Sequence, residues 1–291
     1  MSEHDLAILA CYAHPDDEQG VTGTLAKAVH YGHRVGILMT TRGEVGEIAD
    51  PALATPETLG AVREREMLCA AEAIGIPPER VYFLDYRDSG MAGTPPNADP
   101  RAAMNAPGNE AVGRIVAVIR RVRPAVLLTF DATGGYGHPD HLAVHHWTTV
   151  AFAAAGDPAQ FPDAGPAFQP ARLFYAGFPR SWIRRFAEIM QQAGVTAEQV
   201  GMGDLDIEQM GMPDELITNL VDTHEYAEVK ARSLACHATQ QNPNSPFARI
   251  PPDLQRVMRA QEVYHLAAGT PFPPGADTGD LFAGLGCARK T

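Results

Sequence analysis

Long apolar runs are what this 291-residue sequence most plainly lacks. Stretches such as Ala125-Val126-Leu127-Leu128 fall far short of the roughly 20 apolar residues a membrane helix needs, so no span is expected. The amino terminus, MSEHDLAILACY, carries no basic flank, and Asp16 and Asp17 arrive too early for a secretory leader, which makes a cytoplasmic protein the expectation. Positive charge is also scarce. With 23 Lys and Arg against 35 Asp and Glu, the formal net charge is −12, which argues against nucleic acid as the main partner because phosphate binding rests on clustered cations. The densest basic stretch, Arg120-Arg121-Val122-Arg123, reads as the last turn of a helix, where cations suit the dipole. The four cysteines, Cys11, Cys69, Cys236 and Cys287, form no C-x-x-C pair and read as reduced buried thiols rather than as a disulfide framework or a zinc knuckle. No G-x-G-x-x-G follows the first apolar run, which ranks a dinucleotide-dependent oxidoreductase last.

What remains is an ordinary globular composition, 45% hydrophobic and 20% charged. Apolar runs at 6–11, 34–40, 81–84, 125–130 and 173–178 read as strands, and helical periodicity occupies 21–31, 59–74, 110–122 and 140–155. Strand and helix alternate, and the strands are almost continuously apolar. That pattern belongs to an α/β fold, a Rossmann-like, mostly parallel, doubly wound sheet covered on both faces. One domain is expected, with a core over about residues 1–180 and a C-terminal extension or cap over 181–291. Within the extension, 182–211 looks helical and 221–236 is amphipathic. Pro- and Gly-rich loops at 91–108, 156–170 and 269–279 are long enough to be lids or binding loops.

Two clusters of polar residues stand where strands should end, and in an open α/β sheet ligands bind outside the carboxyl ends of the strands. The first is Ala13-His14-Pro15-Asp16-Asp17-Glu18, the second Gly134-Gly135-Tyr136-Gly137-His138-Pro139-Asp140-His141. If the first and fourth strands are neighbours, the clusters face each other. His14 and Asp17, one turn apart, and His141 from the opposite loop then make two imidazoles and one carboxylate, a catalytic zinc set that leaves a position for water. Fe²⁺ would suit the same ligands. Asp16 beside that water is the natural general base. His138, with Asp140 two residues on, is placed to protonate a leaving amine or to stabilise negative charge, and Tyr136 to donate to an oxyanion. The chemistry is hydrolysis at a carbonyl centre.

Blander readings stand beside these. Asp140 at a helix start is also a preferred cap. Tyr136 could be a rigid packing residue in a glycine-rich turn. Arg63, between Glu64 and Glu66, has the look of a solvated ion-pair partner. His145 and His146 read as packing or supporting residues, because a fourth protein ligand would fill the open metal position. Glu18 reads as an outer acceptor for a ligating histidine, and His30, His33 and His224 as surface or packing residues.

The two clusters resemble the paired motifs of the LmbE-like, or PIG-L, deacetylases, zinc hydrolases that remove acetyl from N-acetylglucosamine-containing small molecules. The resemblance implies His14, Asp17 and His141 as ligands, Asp16 as base, His138 as assisting histidine and Tyr136 as carbonyl-polarising group. Arg42-Gly43-Glu44-Val45-Gly46, Arg63, and Asp88-Ser89-Gly90-Met91 also match, as does His237-Ala238-Thr239-Gln240. Arg63 and the Asp88–Met91 stretch are similar to sugar-contacting segments of the mycothiol-pathway members, so Glu44, Arg63, Asp88 and Met91 are the implied substrate contacts. The match is continuous over the first half and thins after Thr149. The implied partner is a small amino-sugar glycoconjugate, with no nucleic acid and no membrane, and with room for a homo-oligomer. Two alternatives remain open: a thiol-conjugate amidase cutting a larger acyl group from glucosamine, and a metal-binding sensor without turnover.

Overall fold

The computed structural model describes residues 6–192, 210–242 and 259–286. Its spine is a seven-stranded sheet in the order β3-β2-β1-β4-β5-β7-β6. Strands β1 (Ala7–Tyr12), β2 (Arg34–Met39), β3 (Val81–Phe83), β4 (Val126–Phe130) and β5 (Arg172–Gly177) run parallel, whereas β6 (Asn219–Asp222) and β7 (Gln261–Gly269) are antiparallel additions beyond β5. The helices between them are α1 (Thr22–His30), α2 (Leu59–Ile74), α3 (Gly108–Val122), the single turn α4 (Gly134–Gly137), α5 (Pro139–Ala154), α6 (Arg180–Gln192) and α7 (Ala227–Cys236).

Strand β1 shows why its sequence is uniformly apolar. Successive side chains of a strand point to opposite faces, and both faces here are covered. Ile8, Ala10 and Tyr12 pack in one core with Leu25 of α1 and Met67, Ala70 and Ile74 of α2. Leu9, Cys11 and Ala13 pack in the other with Ile115 and Ile119 of α3 and Val144, Trp147 and Ala151 of α5. Strand β1 pairs with β2 on one side and β4 on the other. The chain reverses its winding there, so the crevice opens at the carboxyl ends of β1 and β4.

The C-terminal residues add to the same sheet. Strand β7 lies between β5 and β6, and its Glu262 accepts from the Gly23 and Thr24 amides at the start of α1 (2.8 and 2.7 Å) while pairing with Lys230 of α7 at 2.7 Å. A carboxylate at a helix N-terminus satisfies donors that have no partner within the helix. Helix α6 accounts for the start of the helical reading over 182–211; residues 193–209 lie outside the described residues.

One sequence expectation is corrected. Cys69 of α2 and Cys236 at the end of α7 form a disulfide, so they are not a pair of reduced buried thiols. Their separation of 167 residues concealed a contact that only the packing of α2 on α7 creates. Cys11 does fit the original reading: it is free and buried, and burial pushes its thiol up to about 12; Cys287 lies outside the described residues. Arg120 and Arg121 do lie in the last turn of α3, as the sequence suggested, but Arg120 has a further role. It is buried and donates to the carbonyls of Ala154, Ala155, Asp157, Gln160, Phe161 and Gly165, holding the loop after α5. Among the described residues no helix is long and apolar enough to cross a membrane.

Candidate active site

The loop leaving β1 turns sharply. The Asp17 amide donates to the His14 carbonyl at 3.1 Å, and the His14 amide donates to Asp17 Oδ2 at 2.7 Å. This double closure brings the His14 ring and the Asp17 carboxylate to one spot. Between them Asp16 has φ 112°, in the left-handed region, a conformation that costs an L-residue on the order of 1–3 kcal/mol and persists only where its surroundings impose it. Opposite, the loop after β4 carries Gly134 at φ 59°, where a side chain would strike the His141 Cβ at 2.8 Å; only glycine lets the turn close against α5. His141 is thereby set over the His14 loop, its ring stacked on Phe130 with centroids 4.1 Å apart.

Three acceptors converge. His14 Nδ1 and His141 Nε2 are 3.2 Å apart, and the Asp17 carboxylate oxygens lie 3.3 Å from the first and 3.2 Å from the second. The far nitrogen of each ring has its own acceptor: His141 Nδ1 meets the Gly134 carbonyl at 2.9 Å, and His14 Nε2 meets Asp140 Oδ2 at 3.1 Å. These partners draw a proton to the far nitrogens, so two imidazole lone pairs and a carboxylate point at one another in a buried space. A positive charge has to stand among them. Without metal it is a proton: burial opposes charge on His14, yet Asp140, Asp17 and Asp88 together hold its pKa well above the ordinary histidine value. Burial likewise opposes ionised Asp17, and the His141 and His14 rings pull its carboxyl well below the usual range. The donor set fits a divalent cation, and this buried His and Asp group could bind one. His138 joins His14 and His141 in one such grouping, and Asp88, His138 and Asp140 surround His14 in another.

The neighbours have definite places. Asp16 Oδ1 pairs with Arg63 Nη2 at 3.2 Å. Burial raises the Asp16 carboxyl to about 6, against the lowering effect of Arg63. Arg63 is buried and also donates to the Gly43 and Pro15 carbonyls, so it is not a solvated partner of the glutamates beside it. Asp88 lies 3.5 Å from His14 Nε2, and its amide donates to Glu44 Oε2 at 3.0 Å. Met91 and Tyr136 are exposed, the Tyr136 ring lying 5.0 Å from that of His141.

Contacts of three residues differ from the sequence reading. Pro139 occupies the first position of α5, which places Asp140 second, and it is His138 Nδ1 that caps the helix by accepting the Asp140 amide at 3.2 Å. The Asp140 carboxylate serves His14 and the amide and hydroxyl of Ser89 instead of the His138 ring. Glu18 accepts from His237 at 2.7 Å, not from a histidine of the convergent set. His145, by contrast, keeps the packing role read for it, meeting the Phe130 carbonyl and packing against Tyr175. Glu66, which accepts from the Thr239 amide and hydroxyl, had no distinguishing spacing, and Ser89 stood in the matched Asp88–Met91 stretch without a role of its own. His237 and Thr239 stood in the matched HATQ stretch, with no role attached to them.

His138 is pushed down to about 4 by burial and by the His14 and His141 rings, so it is neutral at pH 7. With Nδ1 accepting the helix amide, its Nε2 carries the proton and can donate. The arrangement therefore offers a cation site, a carboxylate poised to take a proton, and neutral donors around it.

Comparison with known proteins agrees with this chemistry. A family model described as PIG-L, GlcNAc-PI de-N-acetylase, matches residues 9–152. A 1D-myo-inositol 2-acetamido-2-deoxy-alpha-D-glucopyranoside deacetylase of Geodermatophilus obscurus is 39% identical over 288 residues, covering 96% of this chain and 97% of that protein. The protein of the same name from Rhodococcus erythropolis is 37% identical, covering 96% and 97%. The N,N'-diacetylchitobiose deacetylase of Pyrococcus horikoshii shares the fold at a TM-score of 0.63 and 18% identity, over 89% of this chain and 83% of that one. A 4-carboxy-2-hydroxymuconate hydratase from Pseudomonas putida does so at 0.59 and 17%, over 92% and 98%. One fold thus carries more than one reaction, and the relatives matched along their length decide the class. The chain belongs to the PIG-L, or LmbE-like, family and is a hydrolytic N-deacetylase.

Proposed function

We propose that this protein is a zinc-dependent deacetylase that releases acetate from an N-acetylglucosamine glycoside, with the α-linked inositol glycoside named for its relatives as substrate. The observation that carries the reading is the convergence of His14, Asp17 and His141 with Asp16 held beside them. Those three residues would hold the ion, which supplies Lewis-acid polarisation of the acetyl carbonyl and an acidified water.

The chain does the rest. Asp16, ionised at neutral pH, takes the proton of the attacking water. Tyr136 and His138, both neutral there, donate to the developing oxyanion. The proton gained by Asp16 then goes to the departing sugar amine. Glu44, Arg63, Asp88 and Met91 line the sugar side. The chain works as a single catalytic domain whose C-terminal residues complete the sheet.

The test is free-amine release, with acetate measured alongside, from a panel holding N-acetylglucosamine, its inositol glycoside, and an S-substituted acylcysteinyl glucosamine, using metal-stripped and zinc-restored protein. Zinc-restored release from the inositol glycoside supports the proposal. Cleavage confined to the acylcysteinyl compound makes the protein an amidase, and stoichiometric zinc with no release from any of them makes it a sensor.

A further inference from the structure

One buried pair has no part in the chemistry above. Glu18 and His237 are separated by 219 residues in sequence, and both are fully buried. Glu18 Oε1 accepts from His237 Nε2 at 2.7 Å and from Gln19 Nε2 at 2.6 Å, while Oε2 accepts the Asp16 amide at 3.0 Å. The other ring nitrogen of His237 has no hydrogen-bond partner among the described residues, so the polar role of this imidazole is directed at Glu18.

What this carboxylate grips is unusual. Asp16 sits at φ 112°, where an L-residue stays only if held. It is held at three points: the amide by Glu18, the carbonyl by the Gln19 amide at 3.0 Å, and the carboxylate by Arg63 at 3.2 Å. The first grip leads out of the local turn to the residue after α7. That residue is itself anchored to α2, through the disulfide next to it and through Glu66, which accepts from Thr239. Since α2 also carries Arg63, one packed pair of helices supports Asp16 at both its backbone and its side chain.

The geometry points to Glu18 and His237 as a positioning pair for the general base. His237 orients the Glu18 carboxylate, Glu18 captures the Asp16 amide, and the captured turn keeps the Asp16 carboxylate at its working angle. Neither residue needs to touch substrate or metal. The inference rests on the proposed role of Asp16 as base. Displacement of a reacting group by about 1 Å is enough to cost on the order of 100-fold in rate, so a backbone grip of this kind is kinetically visible.

Three variants test it: Glu18→Gln, His237→Leu, which fills the space without a donor, and His237→Gln, which restores an N–H donor. Steady-state kinetics, metal content, and hydrogen exchange of the Asp16 amide are measured on each. Glu18→Gln and His237→Leu are expected to lower kcat by about 10–100-fold with KM within about twofold, to retain the metal, and to speed exchange at Asp16. His237→Gln should return kcat to within about threefold of the parent and restore protection at Asp16, which loss of packing alone would not predict. Should His237→Leu fail to fold, Glu18→Gln against His237→Gln makes the same comparison. Unchanged kcat and exchange, a loss that tracks lost metal, or a change confined to KM would overturn the inference. A parent protein that cleaves none of the panel compounds would instead sink Asp16 as base, and the Asp16 exchange rates would still decide whether the pair holds the turn.

Discussion

Asp140 Oδ2 lies 3.1 Å from His14 Nε2, across 126 residues of sequence, and the same carboxylate accepts from Ser89 rather than from the His138 ring. It sets which nitrogen of His14 presents its lone pair to the proposed metal position. Asp140→Asn keeps the size of the side chain but offers an amide that can turn a donor toward His14. Its metal affinity should fall by about 10–100-fold, read by competition with a chromogenic chelator. Unaltered affinity would mean that His14 is oriented by other contacts.

Removing the proposed base, Asp16, should separate chemistry from metal binding. Asp16→Asn is expected to lose about 10²–10⁴ in kcat while holding as much zinc as the parent protein. Equal loss of zinc would instead make Asp16 a ligand.

The pH dependence follows from burial. Burial lifts Asp16 to about 6 without metal, while Arg63 draws it down. A carboxyl must be ionised to accept a proton, so activity is lost as pH falls through its pKa. A divalent cation alongside favours the carboxylate and moves that limb below about 6. Arg63→Met removes the lowering charge, and its acid limb should shift to higher pH. A profile that stays in place would exclude Asp16 as the titrating base.

The exposed Tyr136 should matter to the reaction more than to the fold. Tyr136→Phe is expected to lower kcat by about 10–10³ if its hydroxyl meets the oxyanion, with the melting temperature nearly unchanged. Retained kcat would return Tyr136 to the role of a packing residue in its glycine-rich turn.

The Cys69–Cys236 bond should appear as a cross-linked peptide in a non-reducing digest, and reduction should lower the melting temperature. Closing so long a loop is typically worth about 2–4 kcal/mol. Two free thiols in the native protein would overturn the pairing.

The parallel half of the sheet was readable because its strands are buried on both faces, which leaves almost continuous apolar runs. Strands β6 and β7 were not. Strand β6 is four residues long with Leu220 facing out, and β7 carries Glu262 in its interior, where a carboxylate suggests solvent. Glu262 is buried because it caps α1 and pairs with Lys230, and neither partner is near it in sequence. Arg172 misleads in the same way. Fully buried in β5, it donates to the carbonyls of Thr270, Pro271, Leu281 and Ala283 and so fastens the last described loop.

The sequence by itself determined the strand and helix alternation, the two polar loops at strand ends, and the residue types that can bind a cation and move a proton. These are local properties, set by side-chain periodicity and by spacings of a few residues. Tertiary structure alone decided which lone pairs converge, that Asp140 serves His14, that His237 reaches Glu18, and that Cys69 meets Cys236. Each of those contacts joins residues more than a hundred positions apart, and the packing of the helices against the sheet is what makes them neighbours.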